Sequence, residues 1–289
     1  MIPAMHITAW ANVAPWAELR QIEQDLIISR AIIEIFSNEF LRNELRFRGG
    51  TALNKLHFPK PLRYSEDIDL VRTTHGPIGP MLDRLRETLD WLGDAAFTQS
   101  PVAPKLVYQI EPEHSGPPLR LKIEINTRET KAFDGPHEIE HAVDNPWFSG
   151  DVAIPTFTPE EMLATKLRAL LQREKGRDLL DLSHAMSVLH AVNVERLIAL
   201  FLEYLRQDRI AISRAQAEER MWNKFDNSGF LSDTKPLLSA DAADELTDGA
   251  VKIAFARVMN DLIALMPGNP WAHSPEMAER FGVSLTRES

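Results

Sequence analysis

Residues 46–72 read RFRGGTALNKLHFPKPLRYSEDIDLVR, a Gly-Gly-Thr turn followed by an Asp-Ile-Asp pair. Asp67 and Asp69 stand two apart in a segment of strand character, and residues i and i+2 of a strand project from one face. The spacing brings both carboxylates together and turns Ile68 and Leu70 toward a core. Two close like charges repel and cost stability unless something compensates. Hard carboxylate oxygens suit Mg²⁺ or Mn²⁺, so a pair of divalent cations is the expected compensator. Upstream, Phe47 ends a short apolar strand, and Gly49-Gly50 forms a turn that lets a ligand approach the backbone closely. Thr51 then opens a predicted helix, TALNKLHF, whose first N–H groups favour an anion, with the hydroxyl as a further donor. Gly49, Gly50 and Thr51 are therefore candidates to hold the β- and γ-phosphates of a nucleotide. An ordinary tight turn accounts for Gly-Gly taken alone; the two acids that follow favour the nucleotide reading.

A third acid is needed to bridge two metals. The segment Leu119–Asn126, LRLKIEIN, alternates strictly. Leu119, Leu121, Ile123 and Ile125 form one face, and Arg120, Lys122, Glu124 and Asn126 the other. Glu124 is the acid of that polar face, and an adjacent strand would set it beside Asp67 and Asp69. Spacing alone equally allows a salt bridge between Glu124 and its basic neighbours. Further on, Thr158-Pro159-Glu160-Glu161 is a helix start with a capping-box pattern. The helix carries Met162, Leu163, Leu167 and Leu170 as its apolar stripe, with Lys166 near the stripe's edge, where a lysine can reach solvent. Gly176 is expected to break that helix. Asp178 and Asp181 then share a face of the next one at i, i+3. Asp178 could serve as an N-cap. Asp181 lies among leucines and needs a partner: it positions Lys166 or an arginine, or acts as a base. Arg63 and Ser65 precede the acid pair and are expected to line the same site, Arg63 on a phosphate or paired with Glu66.

The array GGTAL, RYSEDIDL, KIEINTRE and TKLRALLQREKGRDLLDL resembles the AbiEii family of nucleotidyltransferase-like toxins, which includes the MenT type. That family lies within the DNA polymerase β-type nucleotidyltransferase superfamily. The resemblance spans roughly residues 45–185, more loosely the helices beyond. It aligns Gly50, Thr51, Asp67 and Asp69 with the first motif, although Thr51 stands where the superfamily signature usually has Ser and the gap to Asp67 is longer. Thr keeps the hydroxyl. The resemblance implies Glu124 as third carboxylate, Lys166 as a charge on the phosphates, and a fourth motif at Arg173, Lys175, Asp178, Asp181 and Leu182. It also implies Mg²⁺ or Mn²⁺ as cofactor, an NTP as substrate and an antitoxin encoded alongside. The implied catalytic set is Asp67, Asp69, Glu124, Lys166 and Asp181.

The remaining composition narrows the class. With 44% hydrophobic and 26% charged residues, the chain reads as an ordinary globular protein. No segment has the apolar length of a membrane span, and the N-terminus lacks a signal-peptide pattern, so a cytoplasmic location is expected. There are no cysteines, which excludes disulfides, cysteine zinc sites and thiol catalysis. The nine histidines show no metal-ligand spacing, and His184 and His190 are expected on a helix surface. A net charge of −10 argues against broad nonspecific nucleic-acid binding, but leaves room for local patches. Candidate patches are Lys166, Arg168, Arg173, Lys175 and Arg177, and separately Arg42, Arg46 and Arg48; a solvated helix face is the alternative.

Periodicity predicts one or two helices over 17–45, strands near 45–48 and 66–72, a helix at 79–93, and strands near 105–111 and 119–126 joined by the turn-rich EPEHSGPP. Residues 127–157 read as irregular, with a short strand near 151–155. Helices follow at about 159–173, 178–190, 194–206, 211–224 and 241–265, and the chain from Pro267 reads as partly disordered. The expected fold class is α+β: a small mixed-sheet nucleotidyltransferase core over 1–155, then an α-helical domain over 156–289 completing the cleft. The leading function is metal-dependent transfer of NMP from NTP to an acceptor hydroxyl, expected at the 3′ end of tRNA, in a type IV toxin–antitoxin system. Transfer to a protein or small molecule is the alternative, and a catalytically idle nucleotide-binding protein is a third.

Overall fold

The structure, a computed structural model, describes residues 2–100, 103–113 and 116–285. The chain forms two compact units, Met1–Thr158 and Pro159–Ser289. No helix among the described residues is long and apolar enough to cross a membrane.

In the first unit, helices α1 (Ala4–Trp10), α2 (Leu19–Ser37) and α3 (Glu39–Glu44) precede strand β1 (Leu45–Arg48). A single turn, α4 (Gly49–Ala52), runs into a π-helical turn over Leu53–His57. Then follow β2 (Asp67–Arg72), α5 (Gly79–Thr88), β3 (Ala96–Thr98), β4 (Lys105–Ile110), β5 (Leu119–Asn126), β6 (His137–Asn145) and β7 (Phe148–Thr156). Five strands make one mixed sheet in the order β1-β2-β5-β4-β3. Within it β2 and β5 run parallel and the other neighbours antiparallel. Strands β6 and β7 pair as a separate antiparallel hairpin.

The alternation read in the sequence is the burial pattern of the sheet. Leu119, Leu121, Ile123 and Ile125 are fully buried, as are Ile68 and, nearly, Leu70. Helix α2 covers this face: Ile28, Ile32, Ile35 and Phe36 are fully buried, and the rings of Phe36 and Phe47 lie 6.1 Å apart. Burying each such side chain contributes about 1.5–3 kcal/mol, which fixes the strand register, because a one-residue slip would turn the apolar set to solvent. The polar face is thereby committed to the other side. The hydroxyl of Thr156 donates to the carbonyl of Phe47 at 2.8 Å, tying β7 to β1.

The second unit is helical: α6 (Pro159–Gln172), α7 (Gly176–Val188), α8 (Val194–Gln207), α9 (Arg214–Asp226), α10 (Ala240–Glu245), α11 (Asp248–Asp261) and α12 (Ser274–Phe281). Leu163 and Leu167 of α6, Leu179 and Leu182 of α7, and Phe201 and Tyr204 of α8 are fully buried and form its core. The whole is the α+β arrangement read from the sequence, a small mixed sheet with packed helices followed by a helical region.

Several details differ from the sequence reading. Residues 127–157 are not irregular, since most of them form the β6–β7 hairpin. Its inward-facing row is His137, Ile139, His141, Val143 and Asn145, so polar residues interrupt the period-two aliphatic pattern. Its turn is Pro146-Trp147 rather than a glycine pair, closed by Asn145 Oδ1 accepting the Trp147 N–H at 2.9 Å. Helix α1 and the exposed edge strand β3 went unpredicted. The helix expected over 241–265 breaks at Leu246-Thr247, where the Thr247 hydroxyl caps α11 by accepting the Ala250 N–H. Beyond Pro267 the chain folds as α12, whose Phe281 joins the rings of Trp222 and Phe225. Residues 286–289, and 114–115 of the predicted connector, lie outside the described residues.

Candidate active site

On the polar face of the sheet, register sets Arg48 opposite Asp69, Asp69 opposite Glu124 and Glu124 opposite Lys105. One step along, Asp67 is opposite Lys122. The three acids are thus neighbours across β2 and β5, bracketed by cations. Lys122 Nζ lies 2.9 Å from Asp67 Oδ2 and 3.3 Å from Glu124 Oε2, and Lys105 Nζ lies 3.1 Å from the same Glu124 oxygen. Both readings of Glu124 left open by spacing hold together: it adjoins the acid pair, and it pairs with lysines.

Asp69 is the strained member. Burial, then the charge of Asp67, raises its pKa, with Glu124 adding and Lys122 and Arg48 opposing. For Lys122, burial disfavours the charge, but the hydrogen bond and charge of Asp67, with Glu124 and Asp69, outweigh it and raise the pKa. Asp67 Oδ1 is buried without a hydrogen-bond partner. An orphaned carboxylate oxygen beside two further acids is a donor set of hard oxygens that fits a divalent cation such as Mg²⁺ or Mn²⁺. Asp67, Asp69 and Glu124 would hold it. With the lysines seated among the acids, no three His, Asp or Glu side chains among the described residues converge as a metal cage.

The glycine turn packs directly on these acids. Gly49 has φ +86°, and a Cβ there would lie 2.1 Å from Asp69 Oδ2. A Cβ on Gly50 would lie 2.5 Å from the guanidinium of Arg63. Position 49 therefore requires glycine, for conformation and contact, whereas at Gly50 a side chain would make the end of Arg63 shift. The α4 turn starts at Gly49 rather than Thr51. Thr51 is buried, and its hydroxyl donates to the Asp67 carbonyl at 2.5 Å and shares a hydrogen bond with Ser65 Oγ at 2.8 Å. Its role in this geometry is to pin the start of β2 to the turn. Arg63 is buried, with Nη1 donating to the Tyr64 carbonyl at 3.1 Å.

Asn54 and Glu129 belong to the site although the sequence reading assigned them no role, and Arg48, expected only in a basic patch, belongs to it too. Asn54 donates to the Gly50 carbonyl at 2.9 Å and accepts from the N–H groups of Leu62 and Arg63, so one amide joins the turn to the Arg63 segment. Glu129 holds Arg48 Nη1 at 2.5 Å and takes a hydrogen bond from Asn126, which aims Arg48 beside Asp69. Position 54 lies four after Gly50 in a helical turn, the one hint available from sequence.

In the second unit, Lys166 Nζ lies 2.9 Å from Asp181 Oδ2 and 3.2 Å from Asp178 Oδ1. Arg173 Nε adds a 2.7 Å pair to Asp178 Oδ2. Both aspartates are fully buried. Burial alone would raise the Asp178 pKa, but Lys166 and Arg173 outweigh it and hold it below the usual value. Asp178 is not the N-cap of α7: Lys175 holds that place, Asp178 sits in the first turn, and Asp233 Oδ1 accepts the Gly176 N–H at 3.0 Å. Gly176 starts α7, where a Cβ would lie 2.4 Å from the Phe230 carbonyl. Glu161, expected in a capping box, is buried and accepts from the Tyr204 hydroxyl at 2.8 Å. His184 is half-buried rather than open to solvent; burial lowers its pKa, with the nearby Asp181 opposing.

The structure thus brings Gly49, Gly50, Thr51, Arg63, Ser65, Asp67, Asp69 and Glu124 together in the first unit, and Lys166, Asp178 and Asp181 in the second. The expected basic patches are largely spent on ion pairs: Arg42 with Glu138, Arg48 with Glu129, Arg168 with Asp208, Arg173 with Asp178.

Residues 30–267 match the family described as nucleotidyl transferase AbiEii toxin, type IV TA system. Among solved structures, the chain is similar to MenT4, a nucleotidyltransferase toxin from Mycobacterium tuberculosis H37Rv, with TM-score 0.59, 16% identity and 98% of each chain covered. It also aligns with JHP933 from Helicobacter pylori, with TM-score 0.49, 17% identity, 82% of this chain and 93% of that one. No curated protein sequence matches the chain.

Proposed function

The chain belongs to the AbiEii family of nucleotidyl transferase toxins of type IV toxin–antitoxin systems, and on that footing we propose that it transfers a nucleoside monophosphate from an NTP to an acceptor hydroxyl, releasing pyrophosphate. The observation that carries this reading is the register of Asp67, Asp69 and Glu124 on one face of β2 and β5, directly against the Gly49-Gly50 turn. Asp67, Asp69 and Glu124 would hold the metal, Mg²⁺ or Mn²⁺. Bound there, such an ion supplies charge neutralisation for the triphosphate and lowers the pKa of the attacking hydroxyl. Because neither glycine carries a side chain, Asp69 and Arg63 pack against the turn and set an acid and a cation beside the phosphates it is proposed to hold. Thr51 and Ser65 keep that turn in register with the acids, and Arg63 stiffens it from behind.

Lys166 is the proposed charge on the nucleotide's phosphates. Asp178 and Asp181 act on it as positioning groups, since both carboxylates are engaged with cations rather than free to take a proton. The expected acceptor is the 3′ end of tRNA, the partner an antitoxin encoded alongside, and the location cytoplasmic. The ion-paired state of the basic side chains favours a second acceptor class, a protein or small-molecule hydroxyl, over a broad RNA-binding surface.

Expression without an antitoxin tests the reading in cells. Wild-type protein should arrest growth, and Asp69→Ala at equal abundance should not. Equal arrest by the variant would exclude this chemistry as the cause.

A further inference from the structure

We propose that Lys122 is a built-in stand-in for the metal: its ammonium neutralises Asp67 and Glu124 until a divalent cation displaces it, and it thereby sets how tightly this site holds metal. The inference rests on reading Asp67, Asp69 and Glu124 as the metal-holding set. Lys122 shares a strand and a face with Glu124 and stands opposite Asp67, so its side chain enters the acid cluster from within. Only 18% of that side chain is exposed, and its charge is little screened there.

The contact is incomplete in a telling way. Lys122 reaches Asp67 through Oδ2 and leaves Oδ1 buried and unpartnered. It meets Glu124 at the same oxygen that Lys105 already holds. The buried Lys55–Asp25 pair of the same unit shows what a permanent arrangement looks like. There, Asp25 Oδ1 takes Lys55 Nζ at 2.8 Å and Trp10 Nε1 at 2.9 Å, and Oδ2 takes Trp16 Nε1 at 3.2 Å. Every Asp25 oxygen is satisfied. At the acid cluster an ammonium supplies charge but too few ligating contacts, whereas a divalent cation binds several oxygens at once. A lysine is a point charge on a flexible stem, so it can leave once a better cation arrives.

The test is Mn²⁺ binding to the purified full-length protein without nucleotide, followed by isothermal titration calorimetry. Lys122→Met keeps the stem and removes the competitor, and should tighten Mn²⁺ about tenfold or more, the effect of one adjacent charge on a carboxylate. Lys122→Arg keeps the competing charge and should not tighten Mn²⁺. Lys105→Met, which touches Glu124 alone and is more exposed, should give a smaller gain. A folded Lys122→Met with unchanged or weaker Mn²⁺ binding would overturn the proposal; if that variant does not fold, Lys122→Gln decides by the same criterion. Asp67→Ala/Asp69→Ala separates the two levels: wild-type Mn²⁺ binding that survives this double change would overturn the acid-set reading, and the role of Lys122 with it.

Discussion

Gly49 and Asp69 constrain one another at the scale of single residues. Gly49→Ala would place a methyl group on the Asp69 carboxylate and strain a φ of +86°. We expect that variant to lose transfer activity by at least about a hundredfold, the scale of misplacing a reacting group, as measured by label transfer. Asp69→Asn should move stability and activity in opposite directions. The raised pKa of Asp69 means its ionised form costs stability above the folded pKa, a cost relieved as pH falls toward the unfolded value. At neutral pH, Asp69→Asn should therefore raise Tm while abolishing transfer, and a fall in Tm would contradict the cause assigned to the shift. The acids themselves were legible because strand period fixes which residues share a face. The Thr51 hydroxyl was not, since its bond to the Asp67 carbonyl depends on how the turn docks against β2, which no local pattern encodes. Lys122 was visible as a polar-face residue, but its dual contact exists only once β2 and β5 pair.

Among elements, α6 and α7 are joined by a buried charge cluster as well as by their leucines. Asp178→Ala would remove the carboxylate that Lys166 and Arg173 share while Lys166 keeps Asp181, and thermal or denaturant unfolding should show a loss of roughly 1–3 kcal/mol. Asp181 was correctly marked by its place among leucines as needing a partner, and Lys166 is that partner. In the first unit, His57 ends the π-helical turn and His141 lies on β6; each has a buried Nε2 without a hydrogen-bond partner. Burial, aided by His137, lowers His57 to about 4; burial and Lys55, against Asp25, lower His141 to about 4. Both are neutral in folded and unfolded chains above about 6.5. Below that the unfolded chain takes protons the folded one refuses, so stability should fall as pH drops from about 6.5 to 4, and His57→Leu/His141→Leu should flatten that decline in Tm. The strand expected near 151–155 lies within β7, whereas β6 was missed because His137, His141 and Asn145 break up the aliphatic row of Ile139 and Val143.

For the whole molecule, charge decides how an RNA acceptor could be held. Net charge is −10, and most arginines of the expected patches face carboxylates. If tRNA is the acceptor, binding should shed few counterions, with a log–log salt slope no steeper than about −3 rather than the −6 or more of a dedicated basic surface. A steep slope in filter binding would mean that the ion pairs open on contact. Ion pairing of this kind cannot be read from runs of Arg and Lys, because the matching acids, such as Glu138 and Asp208, come from distant sequence. The central claim, metal-assisted nucleotidyl transfer from the sheet's acid cluster, is met most directly by incubating purified protein with each α-³²P-NTP, Mg²⁺ and total tRNA, alongside Asp67→Ala/Asp69→Ala. Label on tRNA, or on a protein or small hydroxyl compound added in its place, that disappears in the double variant is the result expected. Label that persists in the double variant would contradict the claim, as would no transfer to any of these acceptors.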